Sequence, residues 1–149
     1  MAEIDEIVSK IMEKVEEDSE RKWDERWPDY ERDKQGYING YDGYSQKSKN
    51  RVKTVGYQTE LGSTRIFVGR TYGGDACNKT FLDEYLMDIG SGCIISSKQL
   101  KEGTGDCIRN IYAKADTLYK QQEKERIRKQ HEDKFIKRAR KALEEIELD

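Results

Sequence analysis

Residues 37–53 hold the side chains best suited to contacting phosphate and bases. Tyr37, Tyr41 and Tyr44 alternate with turn-forming Gly and Asn, and Lys47, Lys49, Arg51 and Lys53 follow them on a Gly/Ser/Asn-rich backbone. Rings stack bases and cations meet phosphates, so this segment is a candidate site for single-stranded nucleic acid or a nucleotide. Alternating Lys and Arg on a strand also describes an exposed edge protected against pairing with other chains. A second candidate is the basic helix face formed by Lys120, Lys124, Arg128, Lys134, Arg138 and Lys141. Glu123, Glu125, Glu132 and Asp133 lie among these residues and dilute their field, which favours a solvated or partner-facing helix over a duplex-binding one.

The other chemistry-bearing groups are sparse. Asp75, Asp83, Glu84 and Asp88 supply hard oxygen ligands of the kind that hold a divalent cation. The last three also fit the polar side of an amphipathic helix, and no metal site or cofactor is expected. Cys77, Cys93 and Cys107 are three widely spaced thiols without a CxxC pair, which argues against a disulfide framework and a standard zinc site. The single histidine, His131, sits in a charged stretch and reads as a solvated helix residue, so no catalytic residue is assigned. Gly69 and the Gly73-Gly74 pair fit neither a GxGxxG nor a Walker pattern and read as turns.

One stretch, Val55-Gly56-Tyr57 through Phe67-Val68-Gly69-Arg70-Thr71, resembles the paired-strand signature of GIY-YIG nucleases over about 17 residues. The resemblance implies a metal-dependent phosphodiesterase with Tyr57 at the first tyrosine. Phe67 stands where the second tyrosine belongs, and the first triplet lacks its middle residue. No Arg occurs between Arg70 and Arg109, which removes the charge that would face the scissile phosphate.

The elements that position these groups are read from periodicity. Ile4, Ile7, Val8, Ile11, Met12 and Val15 recur at helical spacing and Trp23 and Trp27 continue at i, i+4, which predicts a helix over 2–27 ended by Pro28. The two tryptophans either lock that helix onto the body of the fold or anchor an interface. Residues 36–44 read as a structured loop or short strand. From 50 to 72, Val52, Thr54, Val55, Tyr57 and Thr59, then Ile66, Phe67, Val68 and Tyr72, predict a β-hairpin turning at Leu61-Gly62-Ser63 and broken by Gly73-Gly74-Asp75. Thr80 is the expected N-cap of a short helix carrying Phe81, Leu82, Tyr85, Leu86 and Ile89. Cys93-Ile94-Ile95 is a candidate third strand. A long helical stretch is predicted from about 106 to 147; 120–126 holds no apolar residue, which leaves open a break, a kink or a solvent-bridging turn near Gln121 beside a single uninterrupted helix.

Charge explains how these parts are used. Asp, Glu, Lys and Arg make up 39% of the 149 residues against a net charge of −2. Residues 1–33 carry −7, 34–108 carry +2, 109–143 carry +7 and 144–149 carry −4, so the near-neutral total conceals a bipolar chain. The simplest use of that polarity sets the acidic N-terminal helix against the basic C-terminal one, within a chain or between chains. An acidic first segment also suits the basic groove of another protein. No run approaches 18 apolar residues and the chain starts MAEIDEIV, so neither a signal peptide nor a membrane span is expected and the compartment is read as cytoplasmic.

The sequence therefore predicts an α+β domain: an N-terminal helix segment over 1–35, a central core over 36–105 with a small antiparallel sheet, and a long basic C-terminal helix over 106–149. The preferred function is a non-catalytic interaction or regulatory protein that binds or inhibits a macromolecular partner. A homo-oligomer is expected through the terminal helices, with Trp23, Trp27, Ile127, Phe135 and Leu143 at interfaces. A small, highly charged, low-proline chain of this kind suits an accessory protein of a phage or other mobile element. Nucleic-acid or nucleotide binding is the alternative, and a metal-dependent nuclease comes third.

Overall fold

The computed structural model describes residues 3–40, 51–75, 77–90 and 92–148. The chain divides into two compact units, Met1–Tyr119 and Lys120–Asp149. The elements run in the order α1 (Glu3–Glu16), β1 (Asp24–Arg26), β2 (Asp29–Arg32), β3 (Ile38–Gly40), β4 (Arg51–Leu61), β5 (Thr64–Gly74), β6 (Lys79–Asp88), β7 (Ile94–Ser96) and α2 (Glu102–Glu147). The expected α+β class holds, and its sheet is far larger than the expected hairpin. All seven strands join one antiparallel sheet in the order β3-β2-β4-β5-β6-β7, with β1 pairing β4 beyond the end of β2. The sheet curls into a nearly closed barrel in which β3 approaches the entry to β7, and a Cβ on Gly92 would lie 3.1 Å from the Gly40 Cα.

The hairpin of β4 and β5 forms as its alternation predicts, with Leu61 opposite Thr64 and Gly62 taking the positive φ of 64° that the two-residue turn requires. Its two faces supply two cores. Tyr57, Ile66 and Val68 join Tyr85 and Met87 under the helices, packed against Val8, Met12 and Val15 of α1 and Ile108, Ile111 and Ala115 of α2. On the inner face Val52 and Phe67 join Tyr30, Ile38 and Leu86. Fully burying a Val or Met side chain contributes roughly 1.5–3 kcal/mol, so the helix–sheet layer is the main source of cohesion in the first unit.

The helix predicted over 2–27 ends at Glu16, and residues 24–26 form β1 instead. Its end is made by side-chain chemistry. Arg21 reaches back with Nε to the Val15 carbonyl at 2.9 Å, while Asp18 accepts the Glu20 N–H at 3.0 Å in a tight turn. The i, i+4 spacing of Trp23 and Trp27 does not discriminate here, because residues four apart share a face of a strand as well as of a helix. Pro28 does not terminate a helix; it separates β1 from β2, and its carbonyl accepts from the Thr54 hydroxyl at 2.7 Å.

The helix expected from Thr80 is strand β6. Leu86 faces the inner core while Tyr85 and Met87 face the helices, so a strand apolar on both sides mimics a helical period. Pairing with β5 decides the matter. Asp83, Glu84 and Asp88 are therefore not the polar side of a helix. The short strand predicted around Cys93-Ile94-Ile95 is present as β7. Of the alternatives open near Gln121, the structure has the continuous helix, α2 running from Glu102 to Glu147.

Two buried carboxylates tie the first unit together. Asp5, only 2% exposed, accepts the Lys101 N–H at 2.8 Å and bonds the Thr104 side chain, so α1 caps the start of α2. The Lys101 amide holds the Asp5 carboxyl below its usual value. Glu84 accepts from Arg32 Nη2 at 2.6 Å and from Ser96 Oγ at 2.6 Å, linking β2, β6 and β7 inside the barrel.

Two measurements test these anchors. Glu84→Ala leaves Arg32 and Ser96 without their shared acceptor and should lower unfolding stability by about 2–3 kcal/mol in urea titrations. The Asp5 contribution is fully present above the unfolded value of 3.8 and is lost as pH falls through its lower folded value. Stability should accordingly drop below about pH 4, and Asp5→Asn should reduce that drop.

Candidate functional site

The helices cover only part of the outer face of the sheet. Beyond them the same face continues as a row of rings and cations, one from each neighbouring strand. Tyr72 on β5 lies opposite Lys53 on β4 and Phe81 on β6. Trp27 reaches the row from the link between β1 and β2. The Trp27 and Tyr72 centroids are 6.1 Å apart and those of Tyr72 and Phe81 are 6.4 Å apart, both edge-to-face. Trp27 and Phe81 are each 43% exposed and Leu82 is 48% exposed. Apolar groups of this size gathered at one place on a surface mark a contact site more strongly than scattered ones.

Cations are held against these rings. Lys79 Nζ sits 4.0 Å from the Trp27 centroid, and Arg70 Cζ lies 5.1 Å from Phe81 and 5.2 Å from Tyr85. Arg70 Nε donates to the Leu82 carbonyl at 3.0 Å and Lys53 Nζ donates to the Gly74 carbonyl, so both are fixed by backbone oxygens. Nearby carboxylates have other partners: Asp29 pairs with Arg51, Asp83 with Arg109 at 3.3 Å, and Glu25 accepts the Trp27 indole N–H at 2.9 Å.

The predicted residues fall in several places. Tyr41, Tyr44, Lys47 and Lys49 lie outside the described residues. Among the described members of the set, Tyr37 is exposed, Arg51 is paired with Asp29, and Lys53 stands in the aromatic row. Trp23 is buried among the core residues, where it packs the first unit and is not exposed to a partner, whereas Trp27 is exposed. Ile127, Phe135 and Leu143 are all exposed on the second unit. The sequence places Tyr72 on a strand but gives no sign that Lys79 and Phe81 lie beside it, because a helix capped by Thr80 is expected where β6 forms.

The groups considered for catalysis are otherwise engaged. Among the described residues no cluster of three His, Cys, Asp or Glu side chains is arranged to hold a metal. Asp88 accepts the Tyr30 hydroxyl at 3.0 Å and the Gly90 N–H at 2.8 Å, and Asp75 accepts the N–H groups of Cys77 and Asn78. Tyr57 is buried beneath α2, packs against Tyr112 and Tyr119, and donates its hydroxyl to Asp116. Burial and that carboxylate push the Tyr57 phenol up, opposite to what a nucleophile needs. Gly56 and Gly69, which carry the likeness to a nuclease signature, face each other because a Cβ on Gly56 would meet the Val68 carbonyl oxygen at 2.1 Å. Their role here is close strand packing. A cleft of about 770 Å³ opens near Arg26, Tyr30, Gln58, Arg65 and Asp88, where Arg26 bonds Gln58 and Tyr30 bonds Asp88.

The second unit is a helix whose charges pair along its own surface. Arg126 donates to Glu123 at 2.7 Å, and Arg128 bridges Glu125 and Glu132. Its last turns carry Phe135, Ile136, Leu143 and Ile146, between 45% and 68% exposed. No helix among the described residues is long and apolar enough to cross a membrane. No protein-family model, curated protein or solved structure matches the chain.

The buried phenols make a prediction. Burial, then the Asp88 charge, raises Tyr30; burial and Asp116 raise Tyr112 to about 12. The unfolded chain ionises these groups near 10, so their contribution is complete below pH 10 and falls as pH rises above it. Absorbance at 295 nm should show Tyr30, Tyr57 and Tyr112 ionising later than the exposed tyrosines, and Tyr57→Phe should flatten the fall in stability between pH 10 and 12.

Proposed function

We propose that the protein is a non-catalytic interaction protein that pairs through its C-terminal helix with the same helix of a second copy. One observation carries this reading: Phe135, Ile136, Ala139, Ala142, Leu143 and Ile146 fall on one side of the helix, and the four large ones are exposed. An apolar stripe on an otherwise charged helix gains its burial from a partner helix. Charge supports an antiparallel arrangement. Residues 120–143 contain ten bases and four acids, whereas 144–149 contain four acids and no base. Antiparallel pairing about Ala139 sets the acidic end of each helix against the basic stretch of the other, places Phe135 opposite Leu143, and lets the small Ala139 side chains meet where the helices cross.

In this reading residues 120–133 act as a spacer, kept helical by ion pairs along its surface, and 135–146 form the adhesive tip. The exposed ion pairs contribute little stability each and bias orientation. A partner-binding role for the first unit, including a regulatory or inhibitory one, is compatible with this assembly.

Sedimentation measures it directly. The wild-type chain should approach twice its protomer mass as concentration rises, while Phe135→Glu combined with Leu143→Glu should remain at one protomer mass with its sheet signal in circular dichroism unchanged. A wild-type chain that stays monomeric at every concentration would remove the proposal.

A further inference from the structure

We infer that the outer face of the sheet binds single-stranded nucleic acid, with the exposed rings of Trp27 and Phe81 as stacking groups, the buried Tyr72 ring as the support between them, and Lys53, Arg70 and Lys79 as phosphate contacts. This inference concerns the first unit and does not depend on the pairing of the arm. Stacked bases need flat rings with exposed area on a supporting surface, and Trp27 and Phe81 provide it at the two ends of a row whose middle ring, Tyr72, is held between them. Phosphates need cations beside those rings. Lys79, 4.0 Å over the Trp27 ring, and Arg70, 5.1 Å over the Phe81 ring, are already gathered there, each on one ring face, so in this proposal a base stacks on the opposite face or displaces the cation towards its phosphate.

The charge balance of the row favours an anionic strand. Arg70 and Lys53 each donate one hydrogen bond to a backbone carbonyl, which holds the side chain in place and leaves its charge. Of the neighbouring carboxylates, Asp29 and Asp83 are paired with Arg51 and Arg109, and Glu25 accepts from the Trp27 indole N–H, so three cations of the row stand against this one carboxylate. A duplex is a poorer fit, since its bases are stacked on one another and offer no face to the rings. The ring types and Arg70 would also suit a protein partner, but lysines such as Lys53 and Lys79 are depleted at protein interfaces and fit an anionic strand better.

The test is fluorescence anisotropy of labelled oligo(dT) and oligo(U) with the full chain, at low and moderate salt. Single strands should bind, with a log–log salt slope near −2 if three phosphates are contacted. Trp27→Ala and Phe81→Ala should each weaken binding roughly 5- to 150-fold. Lys79→Ala should reduce the slope by about 0.7. Because Trp23 is buried and Trp27 exposed, oligonucleotide should quench the tryptophan emission of the wild type and not that of Trp27→Phe, a conservative variant that keeps a ring in place. The inference is overturned by undetectable binding at low salt, by equal affinity for a duplex of the same length, by unchanged affinity in Trp27→Ala, or by binding that is lost on changing Lys124, Arg128 and Lys134 to Ala instead. Sedimentation of the same samples reports arm pairing separately, so the failure of one proposal is distinguishable from the failure of the other.

Discussion

Gly56 and Gly69 meet across β4 and β5 with no room for a Cβ on Gly56, and the rest of the first unit follows from that close approach. The same gap lets the Phe67 ring lie over Gly69, where a Cβ would come within 2.5 Å of Phe67 Cζ. With Phe67 laid down in this way, Val52, Tyr30, Ile38 and Leu86 gather around it, and the sheet curls until β3 and β7 approach. Glu84 then reaches Arg32 and Ser96 across the curled interior. The curl turns a flat sheet into a surface whose inner side is filled by its own side chains and whose outer side must be covered by something else.

Two helices supply that cover, and they are too few for the area. Val8, Met12 and Val15 of α1 and Ile108, Ile111 and Ala115 of α2 seal the rings of Tyr57 and Tyr85 and the chains of Ile66, Val68 and Met87. Asp5, capping the start of α2, fixes where the two helices meet. At the remaining outer face Trp27 and Phe81 stay exposed on either side of the buried Tyr72, with cations lying on the two exposed rings. An aromatic row left open in this way costs hydrophobic burial in the free protein, and a ligand that stacks on it recovers that loss.

The second unit obeys a different constraint. Its charged turns gain only small amounts from Arg126–Glu123 and from Arg128 bridging Glu125 and Glu132, and its apolar residues Phe135, Leu143 and Ile146 are exposed. The two poles of charge in the chain thus serve different purposes. The acidic α1 packs on residues 102–119 mainly through apolar groups, with Lys114 and Glu16 paired at 3.4 Å, while most of the basic surplus lies in residues 120–143.

Amino-acid types alone determined the β4–β5 hairpin, the strand near Ile94, the long C-terminal helix and the exposed apolar residues at its end, because each rests on a local period or a turn that only glycine makes easily. Local pattern was ambiguous wherever two periods coincide. Trp23 and Trp27 four residues apart suit helix and strand equally, and Phe81, Leu82, Tyr85 and Leu86 read as a helix because a strand with apolar residues on both faces does not alternate. Only the tertiary structure decided those cases: the open edge of β5 needed a hydrogen-bonded partner, so residues 79–88 became β6 and brought Phe81 beside Tyr72 and Trp27. The candidate site therefore had no signature in sequence, since its rings come from segments about fifty residues apart and are neighbours only through strand pairing.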